Sequence, residues 1–584
     1  MKKALALVLC IVILACGVLT SCVDLENEDK GATIPVYMSS EIRDFDPANA
    51  MTDEASVKIL SLVYEGLTKV NEKGKVVGSA AKSWTYKKDE LNGTYVLQFE
   101  LYENYWSDGR QVSADDFVFA WKRIMEPEFQ SEACAMLYQI KNAKEVKLGD
   151  ASIDDLGVYS ADTTVFQVEF TEDIDVDEFL LNCASPYLFP LREDAVNKVE
   201  DWATNTSVIV TNGPFTVREL ILHESLIIER SQYYRRDVEK DSIKKNVTPY
   251  RLKVNFNMTP DEQMAAYEDG SILYIGEIPL SSRNKYKDSE ELVVSDTMTT
   301  ATLVFNNTKF NKDQRNGLSK AIDRNALAQL VVFAEPATGM VNGNGIFENK
   351  DSNTSFASVS GTLISASADT SAAKSLVSGI SGTIKLAIRP DEVDIAVANY
   401  IKAQWEALGL SVEIVELESK KWTTTTEYDV MDNLFADAYT AGDFDVMLVD
   451  WVAQSANAWA LLAPFAKQYS GNAKDLAAGQ FDDVPHVTGY DSEEYNTLMD
   501  EIFALSGAEK TAKLHEAEKL LVEDMPVAPL FTYKNAYLAS ENLTGLKVQA
   551  WEGFTIFNKA TNKLYDPETT AAETVAEPAA DDEE

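Results

Sequence analysis

Lys2 and Lys3 lead an apolar run from Ala4 to Leu19, and no later stretch of the chain approaches the length of a membrane helix. The run has sixteen residues. It falls short of the roughly 20 that span a bilayer and has the form of an export signal's hydrophobic region. The remainder is therefore expected to fold as a water-exposed body beyond a membrane. With 584 residues, 45% of them apolar, that body can bury a large core. Single cores stop growing near about 250 to 300 residues, so several domains are expected. The formal net charge of -42 argues against nucleic acid or anionic lipid as a partner, because like charges repel. On an exported surface it serves solubility.

Leu19-Thr20-Ser21-Cys22 places small residues before a cysteine and resembles the lipobox of bacterial lipoproteins. That resemblance implies cleavage of residues 1–21 and acylation of Cys22, so that the mature chain is tethered and does not span. The alternative is an ordinary cleaved signal with Cys22 as one more thiol. Residues 22–33 are acidic and lack hydrophobic periodicity, which reads as a tether of about 35 to 40 Å when extended. Cys10 and Cys16 leave with the signal, and Cys134 and Cys183 remain. These two form either a disulfide, in an oxidising compartment, or a pair of buried free thiols. Both readings stand, because pairing needs Cα atoms within about 7 Å and spacing says nothing about that.

Periodicity points to mixed α and β structure. Tyr95 to Leu101 alternates as a strand, and Asp108-Gly109 supplies a turn. Ser113-Ala114-Asp115-Asp116 has the form of a helix N-cap, followed by Phe117, Trp121 and Ile124 at helical spacing, with Pro127 past the end. Val208 to Val210 and Leu226 to Ile228 read as strands around the turn Asn212-Gly213-Pro214-Phe215. Leu514, Ala517, Leu520 and Leu521 mark a helix closed by Pro526. Ser352 to Gly382 reads as surface connection and residues 566–584 as a disordered acidic tail.

Signatures of catalysis are poor. His223, His486 and His515 lie far apart, without the spacing of a zinc helix, and no G-x-S-x-G elbow occurs. Gly343-Asn344-Gly345 is too short for a dinucleotide fingerprint. No catalytic residue, metal site or cofactor is expected.

Asp46-Pro47, Tyr64-Glu65-Gly66-Leu67-Thr68, Trp106-Ser107-Asp108-Gly109, Ala114-Asp115-Asp116-Phe117-Val118, Thr211-Asn212-Gly213-Pro214-Phe215, Phe305-Asn306-Asn307-Thr308, Ala321-Ile322-Asp323-Arg324 and Met525-Pro526-Val527-Ala528-Pro529-Leu530 occur in a telling order. That order is similar to the oligopeptide-binding proteins of ABC importers, family 5 of the extracellular solute-binding proteins. The resemblance implies a two-lobed α/β flytrap of the periplasmic-binding-protein type II fold, with an extra inserted domain of the peptide-binding cluster. By analogy, lobe I comprises residues 34–64, 206–298 and 540–565, the insert residues 65–205, and lobe II residues 299–539. It implies a monomeric, lipid-anchored receptor on the outer face of the cytoplasmic membrane, or in the periplasm where an outer membrane exists. The receptor would deliver oligopeptide to a permease driven by cytoplasmic ATPases. The alternatives are the same fold with another ligand (a modified or signalling peptide, an oligosaccharide, a metal chelate) and a surface hydrolase.

The family's ligand loop corresponds to Asp450-Trp451-Val452-Ala453-Gln454-Ser455. Peptide-binding relatives carry the tryptophan and, three residues later, an aspartate that pairs with the ligand's α-amino group. Here Trp451 is kept and Gln454 takes the aspartate's place, and an amide lacks the carboxylate's charge-assisted bond. Trp451 itself either meets ligand or is plain core. Ala133 and Met136 stand where relatives have aromatic residues, and Thr302 and Val304 lie on the strand between lobes. Glu277 aligns with a cleft position and either restores the negative charge or is a solvated loop residue. Asp53 and Glu54 align with a loop that touches ligand backbone, or form a solvent-facing helix start.

Overall fold

The computed structural model describes residues 30–39, 41–42, 44–48, 54–71, 74–221, 224–234, 243–348, 353–418, 421–424, 429–477, 480–549 and 554–567. The signal, Cys22, most of the tether, Asp53, His223 and the tail beyond Pro567 lie outside these residues. Among the described residues no helix is long and apolar enough to cross a membrane.

Two long strands, Leu292–Phe305 and Val527–Ala539, run side by side through the middle of the molecule. They pair antiparallel from Leu292↔Leu538 to Asp296↔Lys534 and again from Thr300↔Thr532 to Val304↔Val527, with an irregularity between. Each half serves a different layer. Leu538 and Ala539 pair with Tyr274–Ile275, whereas Thr299 to Phe305 pair with Val446–Val452, beyond which lie Thr383–Ile388 and Ser411–Glu416. The last two strands are parallel and need a crossover, which the helix Glu392–Ala407 provides. A bulge of this kind bends the pair locally, so the two halves of the sheet face different directions.

A second sheet, in the order Thr33–Val36, Arg251–Asn255, Ser225–Arg230 and Phe215–Ile221, lies on the side of Tyr274–Ile275. A third is antiparallel throughout: Ala81–Asp89, Thr94–Leu101, Val165–Phe170 and Val158–Asp162. The helix Ala114–Met125 covers it, with Phe117 and Trp121 against Phe166 at ring distances of 5.8 and 5.1 Å. Ser113 and Asp116 form a capping box at its start. At its end the buried Lys147 ammonium donates to the carbonyls of Ile124, Glu126 and Phe129, filling acceptors that a helix terminus leaves open. The result is the two-lobed α/β architecture that the resemblance implies, with the extra sheet-and-helix unit attached.

The collinear motifs turn out to be joints of this architecture. Asp46 accepts both nitrogens of the Arg123 guanidinium, at 3.0 and 2.6 Å, and so ties the covering helix to the segment after the first strand. The Asn212 side chain accepts from Glu65 N at 3.0 Å and donates to Glu65 O at 2.9 Å. A Cβ at Gly213 would lie 2.5 Å from the Val63 carbonyl, so only glycine fits beside that backbone. Arg324 is buried with Nε on Pro529 O at 2.7 Å, linking two motifs more than two hundred residues apart. Asn306 donates to Phe444 O at 3.0 Å.

Two local readings change, and one open alternative is decided. Val208 to Val210 is not a strand: Val208 N and Ile209 N both donate to Asn205 O in a turn, and no partner strand lies alongside. The stretch from Ser352 to Gly382 holds two short helices, Phe356–Ser360 and Thr370–Leu376, capped by Ser355 and Asp369. The second packs so closely that a Cβ on Gly317 would meet Leu376 and Val377 at 2.8 and 2.7 Å. Gly317 on the facing helix is the small residue that allows this approach. Cys134 and Cys183 are both free and buried.

Candidate functional site

In the strand Val446–Val452, alternation sends Asp450 and Trp451 to opposite faces of the sheet. Asp450 faces a cavity of about 520 Å³. Lys58 and Glu277 line one wall, Arg389, Asp391 and Asp450 the other, and Tyr533 of the long strand lies between them. Burial disfavours the Arg389 charge, but Asp394, Asp450 and Asp391 more than offset this and hold its pKa well above the ordinary value. Its Nε meets Asp394 at 3.1 Å and a terminal nitrogen meets Asp450. Burial likewise works against the Lys58 charge, yet Glu54 at 3.0 Å, Glu277 and Asp450 raise its pKa. Asp391 caps the helix Glu392–Ala407 by accepting from Asp394 N. Although its side chain is half accessible, enclosure by protein pushes its carboxyl up to about 6, against the pull of Arg389 and with Asp450 and Glu277 adding to the rise.

On the other face, Trp451 packs against Phe465 and His486 at 5.3 and 5.7 Å, and these two rings meet each other at 4.7 Å. Gln454 is 1% exposed. Its amide donates to Glu132 Oε2 at 3.1 Å, while Tyr439 OH and His486 Nε2 reach Glu132 Oε1 at 2.9 and 3.1 Å. Three groups from residues 439–486 thus grip one carboxylate carried by the turn Glu132–Met136. The grip is part of a seam in which Trp459 Nε1 donates to Ala135 O at 2.9 Å and Asn457 to Asn182 Oδ1 at 2.7 Å. Lys510 pairs with Glu178 at 2.7 Å along the same seam.

The structure therefore divides the residues singled out from sequence. Asp450, Glu277 and Glu54 converge on the cavity. Trp451 and Gln454 do not line it. Thr302 and Trp451 border a void of about 10 Å³, which holds one water at most. Ala133, Met136 and Val304 are buried in the core. Sequence reasoning missed Arg389, Asp391, Lys58 and Glu132; Lys58 with Glu54 and Arg389 with Asp394 are local pairs whose place in the cavity only tertiary folding reveals, and Glu132 draws all three of its partners from distant positions.

Among the described residues no group of three or more His, Cys, Asp or Glu side chains could hold a metal ion. One serine–histidine–carboxylate set exists: Ser360 Oγ lies 2.6 Å from His515 Nδ1, and His515 Nε2 lies 2.9 Å from Glu348. The Ser360 hydroxyl donates to Glu518 at 2.6 Å, so its proton is directed away from the imidazole. His515 stacks on Phe356 at 3.8 Å. The set fastens one helix to another.

With this geometry in view, comparison with known proteins is decisive. The family described as bacterial extracellular solute-binding proteins, family 5 Middle, matches residues 75–473. The chain belongs to this family. Family 5 membership makes it a solute-binding protein of the extracytoplasmic type. It is 25% identical over 548 residues to the oligopeptide-binding protein OppA of Bacillus subtilis (strain 168), covering 89% of this chain and 91% of that one. Listeria monocytogenes OppA bound to peptide superimposes with a TM-score of 0.76 at 18% identity, over 92% of this chain and 100% of that one. The murein tripeptide-binding protein MppA in its unliganded open form reaches 0.56 at 22% identity, over 91% of this chain and 97% of that one. Both share the fold described above.

Proposed function

We propose that this protein is a lipid-anchored receptor that captures oligopeptides between two lobes and hands them to the permease of an ABC importer driven by cytoplasmic ATPases. The observation that carries this reading is the cavity of about 520 Å³ walled from both sides of the long strands. Its size lies within the range of about 300 to 1,000 Å³ that suits a small ligand such as a short peptide. A ligand that touches both walls stabilises closure by its differential contacts with the closed state. The names of the relatives, oligopeptide-binding in Bacillus and peptide-bound in Listeria, point to the same ligand class.

The lobes comprise residues 34–64, 206–298 and 540–565 on one side and 299–539 on the other, with 65–205 inserted and the hinge at the irregularity between Asp296 and Thr300. Anchoring rests on Cys22 and places the receptor on the outer face of the cytoplasmic membrane, or in the periplasm of a cell with an outer membrane. It acts as a monomer, without cofactor and without bond chemistry.

Thermal unfolding of the full chain against a panel of tri- to pentapeptides, oligosaccharides and metal chelates tests the ligand class. Peptides should stabilise it by about 2.7 kcal/mol at a hundredfold excess over Kd, and the other classes should not. Stabilisation by a sugar or chelate alone would replace the ligand class. Turnover of a chromogenic ester or peptide in the same samples would restore the hydrolase.

A further inference from the structure

Among the described residues that line the cavity, carboxylates outnumber cations, eight to four. All four cations are already engaged. Lys58 pairs with Glu54, Arg389 with Asp394 and Asp450, and Lys534 with Asp296 and Glu335. The Arg283 guanidinium gives hydrogen bonds to the carbonyls of Ile278 and Val331, each at 2.9 Å, and its charge and that of Lys58 act on Glu277 from beyond ion-pair distance. Among the described residues Glu277 makes no ion pair. One oxygen of Asp450 is buried without a hydrogen-bond partner. Asp391 is only 3.9 Å from Arg389 Nε, but that guanidinium gives its short contacts to Asp394 and Asp450.

A second observation comes from the far face of the sheet. The uncharged Gln454 is buried and committed to Glu132. Reception of positive charge has no place there.

We propose that the cleft selects peptides bearing a cationic group, an ammonium or a guanidinium, and that Glu277 and Asp391 receive it. This rests on the reading of the protein as a peptide receptor. A cation placed between these carboxylates gains charge-assisted hydrogen bonds in a partly water-excluded site. An anionic side chain in the same place meets uncompensated like charge. The cationic group is either the peptide's own N-terminus or a Lys or Arg side chain, and acetylation separates the two.

The test is isothermal titration of the full chain with Ala-Ala-Lys-Ala, Ala-Ala-Ala-Ala and Ala-Ala-Glu-Ala, each with free and acetylated N-terminus, and with spermidine. The lysine peptide should bind about tenfold or more tighter than the glutamate peptide. Glu277→Gln should shrink that ratio severalfold, with an unliganded melting curve to confirm that the variant is folded. If acetylation removes the affinity of all three peptides, the α-amine is the received group; if it leaves the lysine preference intact, the side chain is. Equal affinity for all six peptides would overturn the charge selection and leave peptide binding standing. Binding of spermidine without any peptide would keep the charge selection and remove the peptide reading. Failure of every ligand would remove both.

Discussion

Asp391 is where the cleft responds to pH. Its carboxyl is pushed up to about 6 in the fold from an ordinary value of 3.8. Because the folded value is the higher one, its contribution to folding stability is complete below the unfolded pKa and is lost as pH rises through about 6. Ligand binding runs the opposite way, since a cation favours the ionised form. Affinity for a lysine-containing peptide should therefore fall between pH 7 and pH 5, with proton release on binding near pH 6. Titration in two buffers of different ionisation heat measures that release; constant affinity and no proton release would contradict the placement of the charge. At Gln454, Gln454→Asp would set a second carboxylate against Glu132, where an amide now donates at 3.1 Å. Loss of a hydrogen bond to a charged group, together with like-charge repulsion, should destabilise the fold by about 1 to 3 kcal/mol. Combining it with Glu132→Gln should recover most of the loss by reversing donor and acceptor. A double-mutant cycle by chemical denaturation gives the coupling, and additive losses would mean that the two side chains do not interact.

Among the elements, the turn Glu132–Met136 is held along a seam to the segments that carry Gln454, Trp459 and Gly471. Gly471 has φ +74, and a Cβ there would lie 1.9 Å from Ser131 O. Gly471→Ala should wedge the seam apart, giving a larger scattering radius than the parent protein and weaker peptide binding. An unchanged radius and affinity would show that the seam does not control closure. Elements with local signals were legible in sequence: the capped helix Ala114–Met125 through Ser113 and Asp116, and the helix Gly507–Asp524 through its apolar spacing and the proline after Met525. The seam was not. Glu132 sits between Ser131 and Ala133 in an unremarkable stretch, and its three donors come from positions 439, 454 and 486. Such contacts depend on tertiary closure, which no periodicity encodes. Asp450 and Glu277 were found only because the order of motifs located the cleft. The strand alternation that separates Asp450 from Trp451 then reassigned the loop's chemistry.

For the whole molecule, the two long strands join layers of different sheet topology, and their pairing is interrupted between Asp296 and Thr300. The motifs that make the family recognisable, Asp46, Asn212, Gly213 and Arg324 among them, hold that frame and do not line the cavity. Family membership is therefore readable from the frame, while ligand preference resides in cavity residues that the frame leaves free to vary. The acidic cavity and membership of family 5 lead to one central claim, that a short peptide is the natural occupant. Native mass spectrometry of the protein purified from its own cells without denaturation tests this most directly. The account predicts bound species whose masses, after release and fragmentation, are those of short peptides carrying at least one Lys or Arg or a free N-terminus. A single non-peptidic compound as the released ligand, together with no binding of defined peptides to the emptied protein, would contradict it.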